Sequence, residues 1–263
     1  IDLDNRTVID RIVGLSGPQG IGHGGGSDMV YVANGGDGMV RLFAAADLAP
    51  VARLALGRDA DNIRVDPGRR EIIVGYGDGG LAVIDGTTGL QTAAIPLPVH
   101  PEGFQLGPGG RRIFVNLTDR NEIAVVDRGT RQITARWTVP GLRANFAMAI
   151  DDSGAHILVA FRHPARLAIL DAADGKPAAI LDSCEDADDV FYDGRRGRAY
   201  VSCGDGAIDV IEQDGDGYAE LARVPTAPGA RTSLFVPELD RLYVAARAGA
   251  TQPAAILVFK PQP

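Results

Sequence analysis

The chain has 263 residues, a formal net charge of −8 and a hydrophobic content of 45%. This charge disfavours nonspecific nucleic-acid binding, which depends on neutralising phosphates, so no nucleic-acid partner is expected. No run of about 18 apolar residues occurs, and we therefore predict no transmembrane segment.

A two-strand pattern returns six times along the chain at nearly constant spacing. Each return begins with an apolar dipeptide, passes through a polar loop, and reaches a second apolar run that usually ends in an acid. A period of about 40 to 45 residues made of short strands is typical of a β-propeller with one four-stranded blade per repeat. We therefore predict an all-β fold in which residues 1–263 form a single β-propeller domain. The dipeptides are Tyr31-Val32, Ile73-Val74, Phe114-Val115, Leu158-Val159, Tyr200-Val201 and Tyr243-Val244, spaced 41 to 44 residues apart.

The two ends of the chain carry incomplete repeats. Ile1–Asp4 matches a third strand and Thr7–Val13 matches an outer strand. At the other end, first, second and third strands without a fourth are predicted at Thr232–Val236, Leu242–Ala246 and Ala255–Phe259. The sequence thus predicts five complete blades and two partial ones. Either the N-terminal outer strand completes the last blade to give six blades, or an N-terminal part is missing and the parent protein has seven. The lack of a starting Met favours the second alternative.

The second repeat shows how the four strands of one blade are predicted. Turn residues such as Pro67 and Gly68 separate short apolar runs. The acid that closes the third strand, here Asp85, is expected to cap the following turn. The predicted strands are Asn62–Asp66, Glu71–Tyr76, Leu81–Asp85 and Gln91–Leu97.

The residues just before the innermost strands are expected to converge on the mouth of the central channel. Ligand sites are commonly concave and gather convergent polar groups, so this mouth is the candidate binding site. A water-filled polar funnel without a ligand is the alternative. The candidate residues are Gln19, Asp61, Glu102, Arg143, Asn145, Asp188 and Arg231.

Two sets of side chains near this mouth could hold a cation. An acidic loop offers oxygen ligands of the kind that calcium prefers. A histidine, His100, could join Asp61 and Glu102 in a transition-metal site. A solvated loop is the alternative in both cases, and we predict no cofactor, with a divalent metal such as calcium as the alternative. The acidic set is Asp186, Asp188 and Asp189.

The chain has two cysteines, Cys184 and Cys203. A hairpin folded about Gly194–Gly197 brings residue 188 opposite Cys203, and Cys184 lies only a few residues further along the loop. A disulfide is therefore predicted, provided that the two Cα atoms approach within about 7 Å. Two free thiols on one face are the alternative. A disulfide would be typical of an exported protein.

The run YVANGGDG at 31–38, the repeated third-strand acid and the Pro-x-Gly loop entries at 18–20 and 101–103 resemble the YVTN-type β-propeller repeat proteins of bacteria. The stretch at 226–245 also resembles members of that group, and the resemblance covers nearly the whole chain. It implies seven blades, export to the periplasm, the cell surface or the medium, and a binding or scaffold role.

Two classes of function remain open from the sequence. The first is a non-catalytic extracytoplasmic propeller, expected to be a monomer, that binds a protein, a glycan or a small ligand through its loop-rich channel face. The second is a metal-dependent hydrolase, similar to lactonase-type propellers, that uses the carboxylates of the mouth. The sequence contains no G-x-S-x-G elbow and no CxxCH haem motif, which favours the first class. No catalytic residue is assigned.

Overall fold

The computed structural model describes residues 1–215, 217–250 and 253–262. These ranges contain 23 β-strands and two short 3₁₀ turns, at Pro108–Gly110 and Thr118–Arg120. Within them no helix is long and apolar enough to cross a membrane. The chain divides into two compact units, Ile1–His100 and Pro101–Pro263. The assignment of one single domain stays a prediction.

The first unit holds two antiparallel four-stranded sheets, here called blades 1 and 2. In both blades the strands lie side by side in chain order. Blade 1 consists of β1 (Pro18–His23), β2 (Met29–Asn34), β3 (Met39–Ala44) and β4 (Pro50–Ala55). Blade 2 consists of β5 (Ile63–Asp66), β6 (Glu71–Tyr76), β7 (Gly80–Asp85) and β8 (Gln91–Pro96).

The second unit holds three four-stranded sheets, blades 3 to 5, and the three-stranded blade 6, again with neighbouring strands in chain order. Blade 3 consists of β9 (Phe104–Leu106), β10 (Arg112–Leu117), β11 (Glu122–Asp127) and β12 (Gln132–Trp137). Blade 4 consists of β13 (Arg143–Ile150), β14 (His156–His163), β15 (Ala165–Asp171) and β16 (Pro177–Asp182). Blade 5 consists of β17 (Ala187–Asp193), β18 (Arg198–Cys203), β19 (Ala207–Asp214) and β20 (Gly217–Pro225). Blade 6 consists of β21 (Thr232–Val236), β22 (Arg241–Ala246) and β23 (Ala255–Phe259).

The predicted fold class is confirmed as an all-β propeller of four-stranded blades; the described residues form six blades, of which blade 6 has three strands. In blade 2 the strand ends agree with the sequence prediction to within one residue. The agreement has a simple cause, because each strand is a short apolar run that ends at a turn residue. The middle strands of blade 2, β6 and β7, are buried on both faces of the sheet, as at Leu81, Ala82 and Ile84, which are all fully buried.

The acid at the end of the third strand caps the next turn, as predicted. Asp85 Oδ1 accepts hydrogen bonds from the backbone N–H groups of Thr87 at 3.0 Å and Thr88 at 2.7 Å. These bonds, with that of Thr88 the strongest, hold the pKa of Asp85 below its usual value. In blade 5 the equivalent acid differs, because Glu212 Oε1 accepts from Arg198 Nε at 2.9 Å instead.

The prediction of two N-terminal strands is wrong. Residues 1–7 form a tight turn with one isolated bridge between Asp2 and Thr7. In that turn the Asp2 carboxylate accepts the N–H groups of Asp4 and Asn5 at 2.9 Å each. Residues 8–13 adopt no strand, and Val13 is 78% exposed. A strand pattern forms a strand only where a neighbouring edge supplies hydrogen bonds, and a lone two-residue bridge is too short to do so.

Close backbone approaches place the first strands of successive blades within each unit. Gly103 N donates to Phe146 O at 3.2 Å, and a Cβ atom at Gly103 would lie 2.5 Å from that oxygen. In the first unit, a Cβ atom at Gly20 would lie 2.2 Å from Asp61 O. Only glycine permits these approaches, which bring the residues that precede the first strands close to the neighbouring blade.

Candidate functional site

The second unit brings three of the predicted residues, Asp186, Asp188 and Arg231, into one ion-pair network. A second arginine, Arg162, joins them: its Nη1 lies 3.2 Å from Asp186 Oδ1 and its Nη2 lies 2.7 Å from Asp188 Oδ1. Arg231 Nη1 pairs with Asp186 Oδ2, and Arg231 Nε lies 3.2 Å from Asp188 Oδ2. We call these four residues the Arg–Asp network. Each carboxylate faces both arginines, so the charges alternate.

The Arg–Asp network is built from the ends of three blades. Arg162 lies near the end of β14, the two aspartates flank the start of β17, and Arg231 precedes β21. Asp186 adopts a left-handed backbone conformation with φ of 58°, and its carbonyl accepts Gly204 N–H at 3.0 Å. A Cβ atom at Gly204 would lie 2.2 Å from Asp186 Oδ2. The glycine therefore lets the aspartate turn toward the arginines.

The side chains of the Arg–Asp network are partly open to solvent, from 14% exposed at Arg162 to 41% at Asp186. The hydrogen bond to Asp186, together with the charge of Asp188, raises the pKa of Arg231. The two carboxylates and the two guanidinium groups pair with one another in alternation. A cation bound to Asp186 and Asp188 would have to compete with two arginines, and calcium binding there stays a prediction.

The sequence did not reveal Arg162 or the aromatic ring beneath it. The Arg162 guanidinium carbon lies 3.5 Å from the centroid of the Phe146 ring, an arrangement that stabilises the cation through the ring face. Arg162 Nε also donates to Ala187 O at 3.0 Å. The one available signal was a charged residue directly after the apolar run 157–161 of β14. That position belongs to a second strand, and the sequence analysis considered only the residues that precede first strands.

The other predicted residues of this unit lie outside the Arg–Asp network. Asn145 is fully buried, and its Nδ2 donates to Asn116 Oδ1 at 2.8 Å and to Glu122 O at 2.9 Å, which ties blade 4 to blade 3. Arg143 is exposed at the start of β13. Glu102 is half-buried, and its N–H donates to Asn116 O at 3.0 Å. Ligand contacts by these residues stay predictions.

Asp189, the third aspartate of the predicted acidic set, forms a hydrogen bond with blade 6. Its Oδ2 accepts the backbone N–H of Ser233 at 2.7 Å, which links the first strands of blades 5 and 6. Metal binding by Asp189 stays a prediction.

The predicted disulfide between Cys184 and Cys203 is confirmed, with a Cα–Cα distance of 5.8 Å. Both cysteines are buried; Cys184 lies in the segment that leads into β17, and Cys203 is the last residue of β18. A neighbouring carboxylate, Asp209, is 0% exposed and accepts Cys184 N–H at 2.6 Å. The disulfide and this hydrogen bond therefore hold Cys184, which lies two residues before Asp186, in a fixed position.

In the first unit, the structure brings His100 close to two aspartates. His100 Nδ1 lies 2.7 Å from Gly77 O and 3.8 Å from Asp59 Oδ2, and its Nε2 lies 3.7 Å from Asp61 Oδ2. Because a carbonyl can only accept, Nδ1 carries a proton and donates it to Gly77. His100 and Asp61 thus lie close together, whereas Gln19 is exposed on β1. Metal or ligand binding by these residues stays a prediction.

Among residues 1–215, 217–250 and 253–262, one group of at least three potential metal ligands comes within 4.8 Å, namely Cys184, Cys203 and Asp205. Both cysteines of that group are joined in the disulfide, so they offer no thiolate to a metal. The three residues therefore lie close together because the disulfide joins two of them.

Comparison with known proteins shows similarity of fold. No protein-family profile and no curated protein matches the chain. Among solved structures, a chain of the mitotic checkpoint complex matches with TM-score 0.78 and 12% identity over 92% of this chain and 74% of that one. The Cps50 (Swd1) β-propeller domain of Myceliophteria thermophila matches with TM-score 0.72 and 13% identity, covering 95% and 88%. Hydrazine synthase of Kuenenia stuttgartiensis matches with TM-score 0.66 and 13% identity, covering 97% and 99%.

Proposed function

We propose that this protein is a non-catalytic, extracytoplasmic propeller of the YVTN type from a bacterium, which binds a protein partner through the face that carries the Arg–Asp network. The network is the observation that supports this proposal most strongly. In this network Asp186 and Asp188, the alternative metal ligands of the sequence analysis, each form ion pairs with two arginines.

The network has the properties of a binding surface. Its side chains are held in place by two partners each and yet remain 14 to 41% exposed, so a partner meets groups that are already ordered. Such preorganisation lowers the entropic cost of association. Arginine is enriched at interface hot spots, and here two arginines are presented together.

Two further findings support the proposal. The buried disulfide is of a kind that persists in oxidising compartments, which agrees with export. Two of the similar folds belong to the mitotic checkpoint complex and to Swd1. One fold hosts many functions, so this likeness supports a protein scaffold only as an analogy of fold.

Crosslinking in the protein's own cells tests the proposal. A membrane-impermeant crosslinker added to intact cells is expected to join the wild-type protein to a partner, because both lie outside the cytoplasmic membrane. Arg231→Gln is expected to weaken binding of that partner at least about tenfold, since it removes one cation of the network. The measurement is the yield of the crosslinked complex, followed by titration of the purified partner.

Arg166→Gln serves as the matched control, because Arg166 pairs with the exposed Asp182 at 2.7 Å on the outer part of blade 4. It should leave partner binding and the melting temperature unchanged. If Arg231→Gln binds the partner as tightly as Arg166→Gln does, the network is not the binding surface. If the crosslinker captures nothing in intact cells but does so in lysates, the extracytoplasmic location is wrong.

A metal-dependent hydrolase is the second candidate, favoured by the neighbourhood of His100. A histidine whose Nδ1 donates to a carbonyl presents its Nε2 as a metal ligand, and here Asp61 Oδ2 lies 3.7 Å from that nitrogen. His100→Gln and Asp61→Asn would each abolish zinc binding in calorimetric titration if this candidate were correct. Asp78→Asn is the control, because Asp78 is 84% exposed and pairs with Arg58.

A further inference from the structure

A cavity of about 590 Å³ lies within the first unit, between the N-terminal segment 10–13 and blade 1. In the described part of the chain, the residues that line it come from this segment, from β3, from β4 and from the turn between these two strands. Binding sites for small molecules typically enclose about 300 to 1,000 Å³. The cavity therefore has the size of a small-ligand site.

The N-terminal segment is held against blade 1, although it forms no strand. Arg41 of β3 donates a hydrogen bond from Nη1 to Gly14 O at 2.6 Å. Ser16 N–H donates to Asn34 Oδ1, at the end of β2, at 3.1 Å. Because these bonds join the segment to two strands of the blade, the wall that it gives to the cavity is part of the folded unit.

Two arginines stand side by side in the cavity. Arg41 and Arg53 are partners across β3 and β4, so their side chains lie next to each other on one face of the sheet. Arg41 Nη2 donates to Asp37 Oδ2 at 2.9 Å, whereas the Arg53 side chain makes no hydrogen bond or ion pair with any described residue. Like charges that face each other across a strand pair are destabilising, so an anion between them would be favoured.

The charge of the cavity wall is opposite to that of the whole protein. Three arginines and one aspartate line the cavity, whereas the chain carries a formal net charge of −8. The third arginine, Arg11, belongs to the N-terminal segment, and its N–H donates to the carboxylate of the aspartate, Asp10, at 2.6 Å. Positive charge gathered in a concave site of an acidic protein favours an anionic ligand.

The rest of the wall is largely aliphatic. Leu48 lies in the turn between β3 and β4, Val51 lies on β4, and Val13 lies in the N-terminal segment. Val13 is 78% exposed and Val51 is 56% exposed, so both present apolar surface to a ligand. Burial of this surface would be favourable, and the ligand is therefore expected to have an apolar body beside its negative charge.

Leu48 adopts an unfavourable backbone conformation at the cavity. Its φ is 55°, in the left-handed region, and its N–H donates to Ala44 O at 2.9 Å to close the turn. The corresponding turns of blades 2 to 4 are closed in the same way by Gly89, Arg131 and Gly175, also with positive φ. Blade 1 is thus the one of these four that places a branched apolar side chain there.

The space at this turn differs between the blades. A Cβ atom at Gly89 would lie 2.6 Å from Leu42 Cδ2 of blade 1, and one at Gly175 would collide with the Trp137 ring of blade 3. In blade 1 the side chain of Leu48 lines the cavity instead. Strained residues of this kind cluster at binding sites, where the side chain has a role that offsets the conformational cost. The conformation of Leu48 therefore supports a ligand site independently of the arginines.

We propose that this cavity binds a small aliphatic carboxylate. The carboxylate accepts two parallel hydrogen bonds from the Arg53 guanidinium and lies beside the charge of Arg41, which removes the repulsion between the two arginines. The aliphatic chain of the ligand lies against Leu48 and Val51. This site belongs to the first unit and is independent of the Arg–Asp network and of its protein partner.

Calorimetric titration of the 263-residue chain with octanoate tests this proposal. Octanoate is expected to bind saturably, at one site per chain. Octylamine has a similar aliphatic body with the opposite charge, and acetate has the same charge without the body. Each of these two compounds is expected to bind at least about tenfold more weakly than octanoate, because each loses one of the two kinds of contact.

Arg53→Gln and Arg69→Gln form a matched pair of variants with the same loss of charge. Arg53→Gln is expected to weaken octanoate binding at least about tenfold, because it removes the bidentate donor. Arg69 is exposed in the turn between β5 and β6, away from the cavity, and Arg69→Gln should bind octanoate as wild type does.

Leu48→Gly separates ligand binding from folding. Glycine adopts the left-handed conformation without strain, so the melting temperature should not fall. Octanoate should bind several-fold more weakly to this variant, because an apolar wall of the cavity is lost, and the weak binding of acetate should not change.

Three results would overturn the proposal. In the first, octanoate shows no saturable binding to the wild-type chain. In the second, octylamine binds as tightly as octanoate. In the third, Arg53→Gln binds octanoate as tightly as Arg69→Gln does.

Discussion

Asp209→Ala is expected to lower the free energy of unfolding of the second unit by about 3 kcal/mol, because it leaves buried groups without partners. Asp209 is 0% exposed and accepts hydrogen bonds from Cys184 N at 2.6 Å and from Arg223 Nε at 2.7 Å. Ser183 Oγ donates to the same carboxylate at 3.2 Å. Arg223 is 45% exposed and regains water in the variant, so the larger part of the loss comes from the Cys184 N–H.

Urea unfolding followed by tryptophan fluorescence measures this loss, because the single tryptophan, Trp137, lies in the second unit. Asp182→Ala is the control, because its carboxylate is 79% exposed and pairs with Arg166 at 2.7 Å. Exposed pairs of this kind contribute about 0 to 1 kcal/mol. Equal losses for the two variants would show that the buried carboxylate does not anchor the loop.

Replacing both cysteines by alanine, Cys184→Ala with Cys203→Ala, is expected to cost about 3 kcal/mol in the chain-entropy account of disulfides. The bond links residues 19 positions apart and holds the loop that carries Asp186 and Asp188. We therefore also expect faster hydrogen exchange of the amides at 185–189, which would loosen the Arg–Asp network without removing any of its charges.

Reduction of the wild-type protein distinguishes the stability lost with the disulfide bond from the stability lost with the packing of the two sulfur atoms. With dithiothreitol and enough denaturant to open the buried bond, wild type should approach the stability of the double variant, and the variant itself should not respond. A wild-type protein whose unfolding midpoint is the same with and without the bond would contradict the prediction. Unchanged exchange at 185–189 would show that the disulfide does not position the network.

The sequence predicts most of the fold because the information is local and repeated. Each of the six dipeptide anchors lies in a second strand, from Tyr31-Val32 in β2 to Tyr243-Val244 in β22. The N-terminal segment is the exception. Thr7–Val13 has the composition of an outer strand. An outer strand forms only where the edge of a third strand is available for hydrogen bonding, and the residue pattern of the segment itself does not show whether such an edge is present.

The candidate site is predictable only in part. Asp188 and Arg231 come together because they lie at the starts of the first strands of neighbouring blades, and alignment of the repeats reveals such positions. Arg162 escapes that alignment, because a second strand delivers it from a third blade. The sequence shows that acids gather at Asp186 and Asp188, but it does not show that two arginines neutralise them. The carboxylates that the sequence offers as alternative metal ligands thus form ion pairs in the structure, and metal binding there stays a prediction.

The metal content of the protein isolated from its own cells, purified without chelators and without an affinity-tag metal, tests the central claim most directly. The proposed binding module predicts substoichiometric calcium, zinc and iron, with no change in Asp188→Ala or Asp61→Asn. One metal ion per chain that disappears in either variant would contradict it, and the carboxylates would then have to be assigned to a metal centre.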